Sequence, residues 1–299
     1  MIRDSEILSF EEGLARERET FLKLRESSPA QARIHLFLSG KAAYHFAVPS
    51  PGGRRVASVA IAGSGKRARA ITVLFQLSGV PVTTDGSGLR DADLIIDAVD
   101  DRKALVTIRQ LASKAKPGAI IATTRGRDLD GLVDAAARDG AIIGLKLRLS
   151  GNRSLVEVVP AATTAPQTVS AVLGLIRKTG IQAVVTRQAG LVGQRMLEAC
   201  RAAAYDLRKN GVSSKDVKLA LASCGVSRQR GISASSKKAV DPALRHRLLL
   251  EMAREAVALT SEGIVRQSFD IDLILVHGYG FPPEDGGPVW ASGLRRKTG

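Results

Sequence analysis

Six residues carry the clearest chemical meaning in this chain: Gly63-Ser64-Gly65-Lys66-Arg67-Ala68. They fit the pattern G-x-G-x-x-A and stand between an apolar run at 56–62 and a helix-like segment at 68–78. In that setting each small residue has a task. Gly63 permits a tight turn, Gly65 lets a pyrophosphate approach the backbone, and Ala68 lets the following helix pack closely on a sheet. The start of a helix adds free N–H groups and a partial positive charge for the phosphates. Dinucleotide binding is the chemistry expected of such a turn. A carboxylate for the ribose hydroxyls belongs about 20 residues further on. Asp85 lies 22 residues after Gly63. It either ends the second strand as that acceptor or opens a polar turn with Gly86-Ser87-Gly88, and the sequence leaves both readings open. Lys66 and Arg67 either favour additional phosphate charge or are solvated surface charges.

The elements that would position this turn alternate regularly. Val80-Pro81-Val82 starts a second apolar run, and further strand candidates lie at 93–99, 119–123, 141–144, 155–159 and 182–185. Helical periodicity fills 100–115, 129–138 and 167–178. Continuous apolar strands alternating with helices predict a Rossmann-like, doubly wound parallel sheet covered on both faces. Beyond residue 188 the strand signal stops. Residues 190–209, 214–223 and 242–262 are helical in period, and Gly211, Gly225 and Gly263 stand where helix ends favour a left-handed residue. Upstream, Ser9 and Glu12 form a capping-box pattern for a helix over 9–26. Ser27-Ser28-Pro29 ends it, with a resumption expected at 30–37, and Pro49-Ser50-Pro51-Gly52-Gly53 reads as a linker. The expected organisation is an arm at 1–53, a Rossmann-like NAD-binding-type domain at 54–187 and a helical domain at 188–299.

Composition narrows the function classes. The chain has 299 residues with 44% hydrophobic and 24% charged residues, an ordinary globular balance. No apolar run reaches the roughly 18–20 residues that cross a bilayer, and the acidic, polar start MIRDSEILSFEEG is no secretory signal. Cys200 and Cys224 form neither a metal-ligand pattern nor a disulfide framework, so no metal is expected and a reduced, cytoplasmic protein is. A net charge of +15 favours polyanionic partners. The charge is scattered, however, and with only 4% aromatic residues there are few platforms on which bases could stack, which speaks against nucleic acid as the main partner.

Several segments resemble the 3-hydroxyacyl-CoA dehydrogenase part of the multifunctional fatty-acid β-oxidation enzymes. SFEEGLARERETF resembles the helix that joins their hydratase and dehydrogenase parts. DADLIIDAVDD, KPGAIIATT and IIGLKLRLSGNRSLVEVVP are similar to successive dehydrogenase motifs, AGLVGQRM to the opening of the helical domain, and EGIVRQSFDIDLILVHGYGFPPEDGGPVW to its end. The order agrees, and together these segments cover nearly the whole chain. The resemblance implies an α/β domain followed by a helical 3-hydroxyacyl-CoA dehydrogenase C-terminal-like domain, NAD as cofactor, an acyl-CoA type substrate, hydratase or thiolase partners and a homodimer.

The resemblance also names site positions, and most are substituted. The glutamate that orients the family's catalytic histidine falls on Glu157. The histidine itself falls on Lys146, the substrate-holding serine on Gly126 and the asparagine on Gln194. An ordinary lysine has a pKa near 10.4, and a neighbouring carboxylate favours its ammonium form, so an ion pair of Lys146 with Glu157 is expected instead of a base. Their spacing is one residue shorter than the family's. The four histidines, His35, His45, His246 and His277, lie away from the catalytic motifs, and a polar loop role is expected for His277. The cofactor half is shortened after Val82, and residues 225–238 replace what is usually a longer segment. These substitutions imply a dehydrogenase-like protein with impaired catalysis that retains NAD or acyl-CoA binding. The alternatives are an active enzyme with altered residues and a non-catalytic scaffold for β-oxidation partners.

Overall fold

The structure is a computed structural model that describes residues 9–47, 55–84, 86–99, 104–124, 129–138, 140–150, 153–226 and 240–293. Asp85, Gly126, the linker at 49–53 and most of the segment at 225–238 lie outside the described residues.

Seven strands form one sheet: β1 (Val59–Ala62), β2 (Val82–Thr83), β3 (Leu94–Asp97), β4 (Ile120–Thr123), β5 (Ile142–Ser150), β6 (Arg153–Pro160) and β7 (Gln182–Val185), in the order β2-β1-β3-β4-β5-β6-β7. The helices α3 (Lys66–Gln76), α4 (Ala104–Lys114), α5 (Leu129–Ala136) and α6 (Pro166–Lys178) cover its two faces. Strand periodicity explains how. In β3, Leu94 and Ile96 join the layer of Ile71, Phe75 and Ile176, while Ile95 between them joins the layer of Ile108, Leu111 and Leu132. All four residues of this strand are fully buried. The Rossmann-like, doubly wound arrangement expected from the sequence is present.

The sheet is not wholly parallel. Strand β5 continues past residue 144 to Ser150 and pairs antiparallel with β6, placing Lys146 opposite Glu157 and Arg148 opposite Leu155. Polar residues at 146, 148 and 150 alternate with Leu145, Leu147 and Leu149, which is the period of a half-covered strand and not of the continuous apolar run expected for a parallel one. Only Gly151-Asn152 separates the two strands, a pair suited to a hairpin connection. Strand β7 is parallel to β6, so both run opposite to the other five.

Beyond the sheet come α7 (Leu191–Lys209), α8 (Ser214–Ser223), α9 (Pro242–Ser261), α10 (Ser268–Tyr279) and the short α11 (Pro288–Ala291). Helix α10 is buried at every position from Phe269 to Val276, so it forms the centre of the helical region and lacks the one-sided stripe that periodicity detects. His277 lies in its last turn and not in a loop, because the left-handed residue that ends the helix is Gly280. Cys200 of α7 and Cys224 after α8 are buried in this region as free thiols. The Cys200 thiol hydrogen-bonds to Cys224, which holds Cys200 up and Cys224 down from the ordinary thiol range.

The N-terminal arm is two helices. Helix α1 (Phe10–Glu26) carries the capping box of Ser9 and Glu12 and contains no buried residue. Helix α2 (Ser28–Ala47) runs well past residue 37. Pro29 does not interrupt it, since it stands in the first turn, where a missing N–H costs nothing. His35 of α2 is buried and joins Asp272 of α10 at 3.0 Å, with its ring stacked on Trp290 at 4.3 Å. This contact ties the arm to the helical region.

Candidate functional site

The glycine turn lies at the C-terminal end of β1. Gly63 has φ +136°, and a Cβ there would stand 2.7 Å from the carbonyl oxygen of Ala98 just after β3. The turn is thus pressed against the neighbouring strand end, a position that only glycine fills. Gly65 is the N-cap of α3 and gives the helix no side-chain cap, so the first N–H groups of α3 retain the anion-binding capacity expected of a phosphate site. Ala68 is 3% exposed, packed where the expected small residue lets helix meet sheet. Lys66 and Arg67 are exposed, and the Arg69 guanidinium donates to the Ser64 carbonyl at 3.3 Å. Beneath the turn, Asp97 is fully buried and accepts from Thr123 Oγ1 and from the Val99 N–H, both at 3.2 Å, bracing the ends of β3 and β4.

These residues fit a pyrophosphate: the cradle, the open helix start and the cations coincide. The adenosine side is slighter. Strand β2 has two residues, and a 3-10 turn at Ser87–Arg90 follows closely, with Gly88 pressed against Thr83 so that a Cβ would lie 2.1 Å from its Oγ1.

The second half of the site is the β5–β6 hairpin, extended beyond the end of β4. Thr123, the last residue of β4, pairs with Gly144, so Lys146 projects two residues further. Lys146 and Glu157 are cross-strand partners on one face. The ion pair expected between them is not made within 4.0 Å. Glu157 is fully buried, and its Oε2 accepts from the Gly190 N–H at 2.9 Å while Oε1 has no hydrogen-bond partner among the described residues. The Lys146 stem passes Gly190 instead: a Cβ on Gly190 would be 3.7 Å from Lys146 Cε. An ammonium that followed Glu157 into this dry position would lose its hydration, so Lys146 stays partly exposed. Burial pushes the Glu157 carboxyl up, against the Gly190 N–H and the charges of Arg148 and Lys146.

Two further residues complete the cluster, and sequence reasoning missed both. Arg148 lies two residues beyond Lys146 on the same strand face, and its guanidinium stacks on the Tyr279 ring at 3.7 Å and donates to the Tyr279 hydroxyl. Tyr279 comes from the end of α10 and packs against Gly193, where a Cβ would overlap its ring at 1.8 Å. Burial first, and the Glu157 charge second, push the Tyr279 phenol up to about 12 against the opposing charge of Arg148, so it is neutral at ordinary pH. Its hydroxyl reaches the Gly190 carbonyl at 3.4 Å. Gln194, one residue past Gly193, is exposed and donates to Glu198 at 3.0 Å along its own helix. Lys146, Glu157 and the start of α7 bearing Gln194 therefore come together, with Arg148 and Tyr279 beside them. The period-2 pattern of β5 signals Arg148. Tyr279 lies 131 residues from Arg148, beyond the reach of any local signal.

Comparison with known proteins agrees with this anatomy. Residues 60–190 match the family model described as 3-hydroxyacyl-CoA dehydrogenase, NAD binding domain. The peroxisomal bifunctional enzyme of Cavia porcellus is 25% identical over 270 residues, which cover 72% of this chain and 37% of that protein. The fatty acid oxidation complex subunit alpha of Shewanella putrefaciens is 25% identical over 281 residues, covering 69% of this chain and 40% of that one. The chain thus spans well under half the length of these relatives. Among solved structures, the dehydrogenase part of multifunctional enzyme 1 from C. elegans shares the fold with a TM-score of 0.57 at 15% identity, covering 85% of this chain and 87% of that one. Fold, matched region and motif order thus agree in making this chain similar to the 3-hydroxyacyl-CoA dehydrogenases, with the family match itself at residues 60–190.

Proposed function

We propose that this chain is a 3-hydroxyacyl-CoA dehydrogenase-like protein of fatty-acid β-oxidation that keeps a nucleotide-holding turn and has lost most of its hydride-transfer chemistry. The observation that carries this reading is Glu157. In the related enzymes this carboxylate orients a histidine, whereas here it is buried with no imidazole partner and faces Lys146. NAD, when bound, supplies the hydride acceptor, and the chain must then supply a base for the hydroxyl proton. Lys146 is not held in the contact that would orient it, and Gln194 is engaged with Glu198. Loss of a positioned base commonly removes about 10²–10⁴ in rate. On the holding side, Gly63, Gly65 and Ala68 support NAD binding through the pyrophosphate.

The test is Lys146→His. A histidine alone would not restore turnover with a 3-ketoacyl-CoA and NADH, because the serine and asparagine positions, Gly126 and Gln194, are also substituted. Robust turnover from that single change would refute the reading. It would favour the active-enzyme alternative, in which the remaining groups suffice.

A second reading, compatible with the first, is a scaffold for β-oxidation partners such as a separate hydratase or thiolase. It is supported by α1, which exposes Phe10 at 84%, Leu14 at 57% and Phe21 at 60% and has no buried residue. Co-purification of a defined complex that is lost on removal of residues 1–45 would support it, and an unchanged complex would exclude α1 as the contact. A homodimer and a cytoplasmic location belong to the same proposal. The two free thiols fit a reducing compartment. No helix among the described residues is long and apolar enough to cross a membrane.

A further inference from the structure

A groove of about 590 Å³ opens at the free edge of the sheet, between α2, the end of α6, β7 and the last turn of α10. It shares no residue with the glycine turn or the Glu157 cluster. Among the described residues its walls carry Arg33, Lys41 and Arg177 and no aspartate or glutamate. Lys41 holds its ammonium over the Phe37 ring at 4.4 Å, and Arg177 holds its guanidinium over the Tyr44 ring at 4.8 Å. Ring faces attract a cation without using up its hydrogen-bond donors, so Lys41 is positioned yet keeps its donors for another ligand, while Arg177, which also donates to the Tyr44 hydroxyl, keeps the remainder of its fork. Leu36, Ile181, Ala183 and Val276 give the groove an apolar stretch, beside the polar His45, His277 and Gln182. Its width depends on α2 approaching β7 at Gly40, where a Cβ would lie 2.8 Å from the Gln182 side chain.

Cations without carboxylates beside an apolar lining match one ligand chemistry. We infer that this groove binds a small amphipathic anion: a carboxylate or phosphate head held by Arg33, Lys41 and Arg177, with an apolar chain laid along Leu36, Ile181 and Val276. The volume is that of a single small-molecule site and does not require a macromolecular partner.

Isothermal titration of the full chain tests this with decanoate and decyl phosphate. Decyltrimethylammonium serves as the cationic counterpart, and acetate and inorganic phosphate as heads without tails. The inference expects saturable binding of at least one anionic amphiphile, with the preferred one identifying the head group, and much weaker binding of the cationic and tail-less ligands. The double variant Lys41→Glu/Arg177→Glu should weaken binding about tenfold or more. The milder Lys41→Gln/Arg177→Gln should weaken it in the same direction. Both lysine and arginine are exposed, so the fold should tolerate these changes. Equal binding of decyltrimethylammonium, binding unchanged in both double variants, or no binding of either anion would overturn the inference. None of these outcomes bears on the glycine turn or on hydride transfer.

Discussion

At the scale of single residues, Glu157 is the most informative side chain because its surroundings set the sign of a measurable effect. Its carboxyl is raised above the ordinary value of 4.5 by burial. The folded chain therefore holds this proton to higher pH than the unfolded chain does. The stability associated with the group is fully present below the ordinary carboxylate range and is lost as pH rises through the raised value. Glu157→Gln removes this dependence. The melting temperature of the parent should fall relative to that of the variant as pH rises above the ordinary carboxylate range, and a difference that does not change with pH would show that Glu157 does not titrate as described. Much of this environment was readable in the residues. Resemblance placed Glu157 and Lys146 together, and the hairpin makes them cross-strand partners. The ion pair expected between them failed because charge alone does not report depth. Only the fold shows that Glu157 lies beneath the start of α7 while Lys146 passes Gly190 on its way to solvent.

At the scale of elements, the β1–α3 turn was legible because its requirements are local: a strand, two glycines, a small residue and a helix start. Its close approach to Ala98 was not legible, since β3 is brought there by the sheet. Gly63→Ala places a Cβ 2.7 Å from a backbone oxygen at a φ that L-residues rarely adopt. It should destabilise the chain by roughly 1–3 kcal/mol, seen as a lowered denaturation midpoint, and wild-type stability would mean that the turn relaxes. The β5–β6 hairpin illustrates the opposite case. Its alternating pattern was present in the sequence, but a parallel strand was expected because the preceding strands are uniformly apolar. Helix α2 was underestimated because Ser27-Ser28-Pro29 reads equally as a stop and as a fresh start. Its anchor, His35 on Asp272 and Trp290, joins residues 237 positions apart. His35→Ala takes a partner from buried Asp272 and should cost about 1–3 kcal/mol. The same change should alter the fluorescence of Trp290, the single tryptophan of the chain. An unchanged spectrum and midpoint would remove this anchor from the account.

For the whole molecule, the division of labour is between a sheet that retains a phosphate cradle, a helical region that supplies Tyr279 and the buried wall around Glu157, and an arm whose first helix has no buried residue. The last point gives a simple expectation. Removal of residues 1–26 should change global stability by no more than about 0.5 kcal/mol in thermal or denaturant unfolding. A larger loss would show that α1 packs on its own chain. The basic charge of the whole chain, evident from composition, gains a specific location only in the fold, where Arg33, Lys41 and Arg177 gather in a groove with no acidic residue among its described lining. The central claim is that nucleotide holding has outlasted the chemistry. It is tested most directly by following NADH oxidation by the purified, demonstrably folded protein with acetoacetyl-CoA, beside a working 3-hydroxyacyl-CoA dehydrogenase. The account predicts turnover lower than that of the working enzyme by at least about 10², whereas comparable turnover would contradict it and assign the missing base to a residue of this chain.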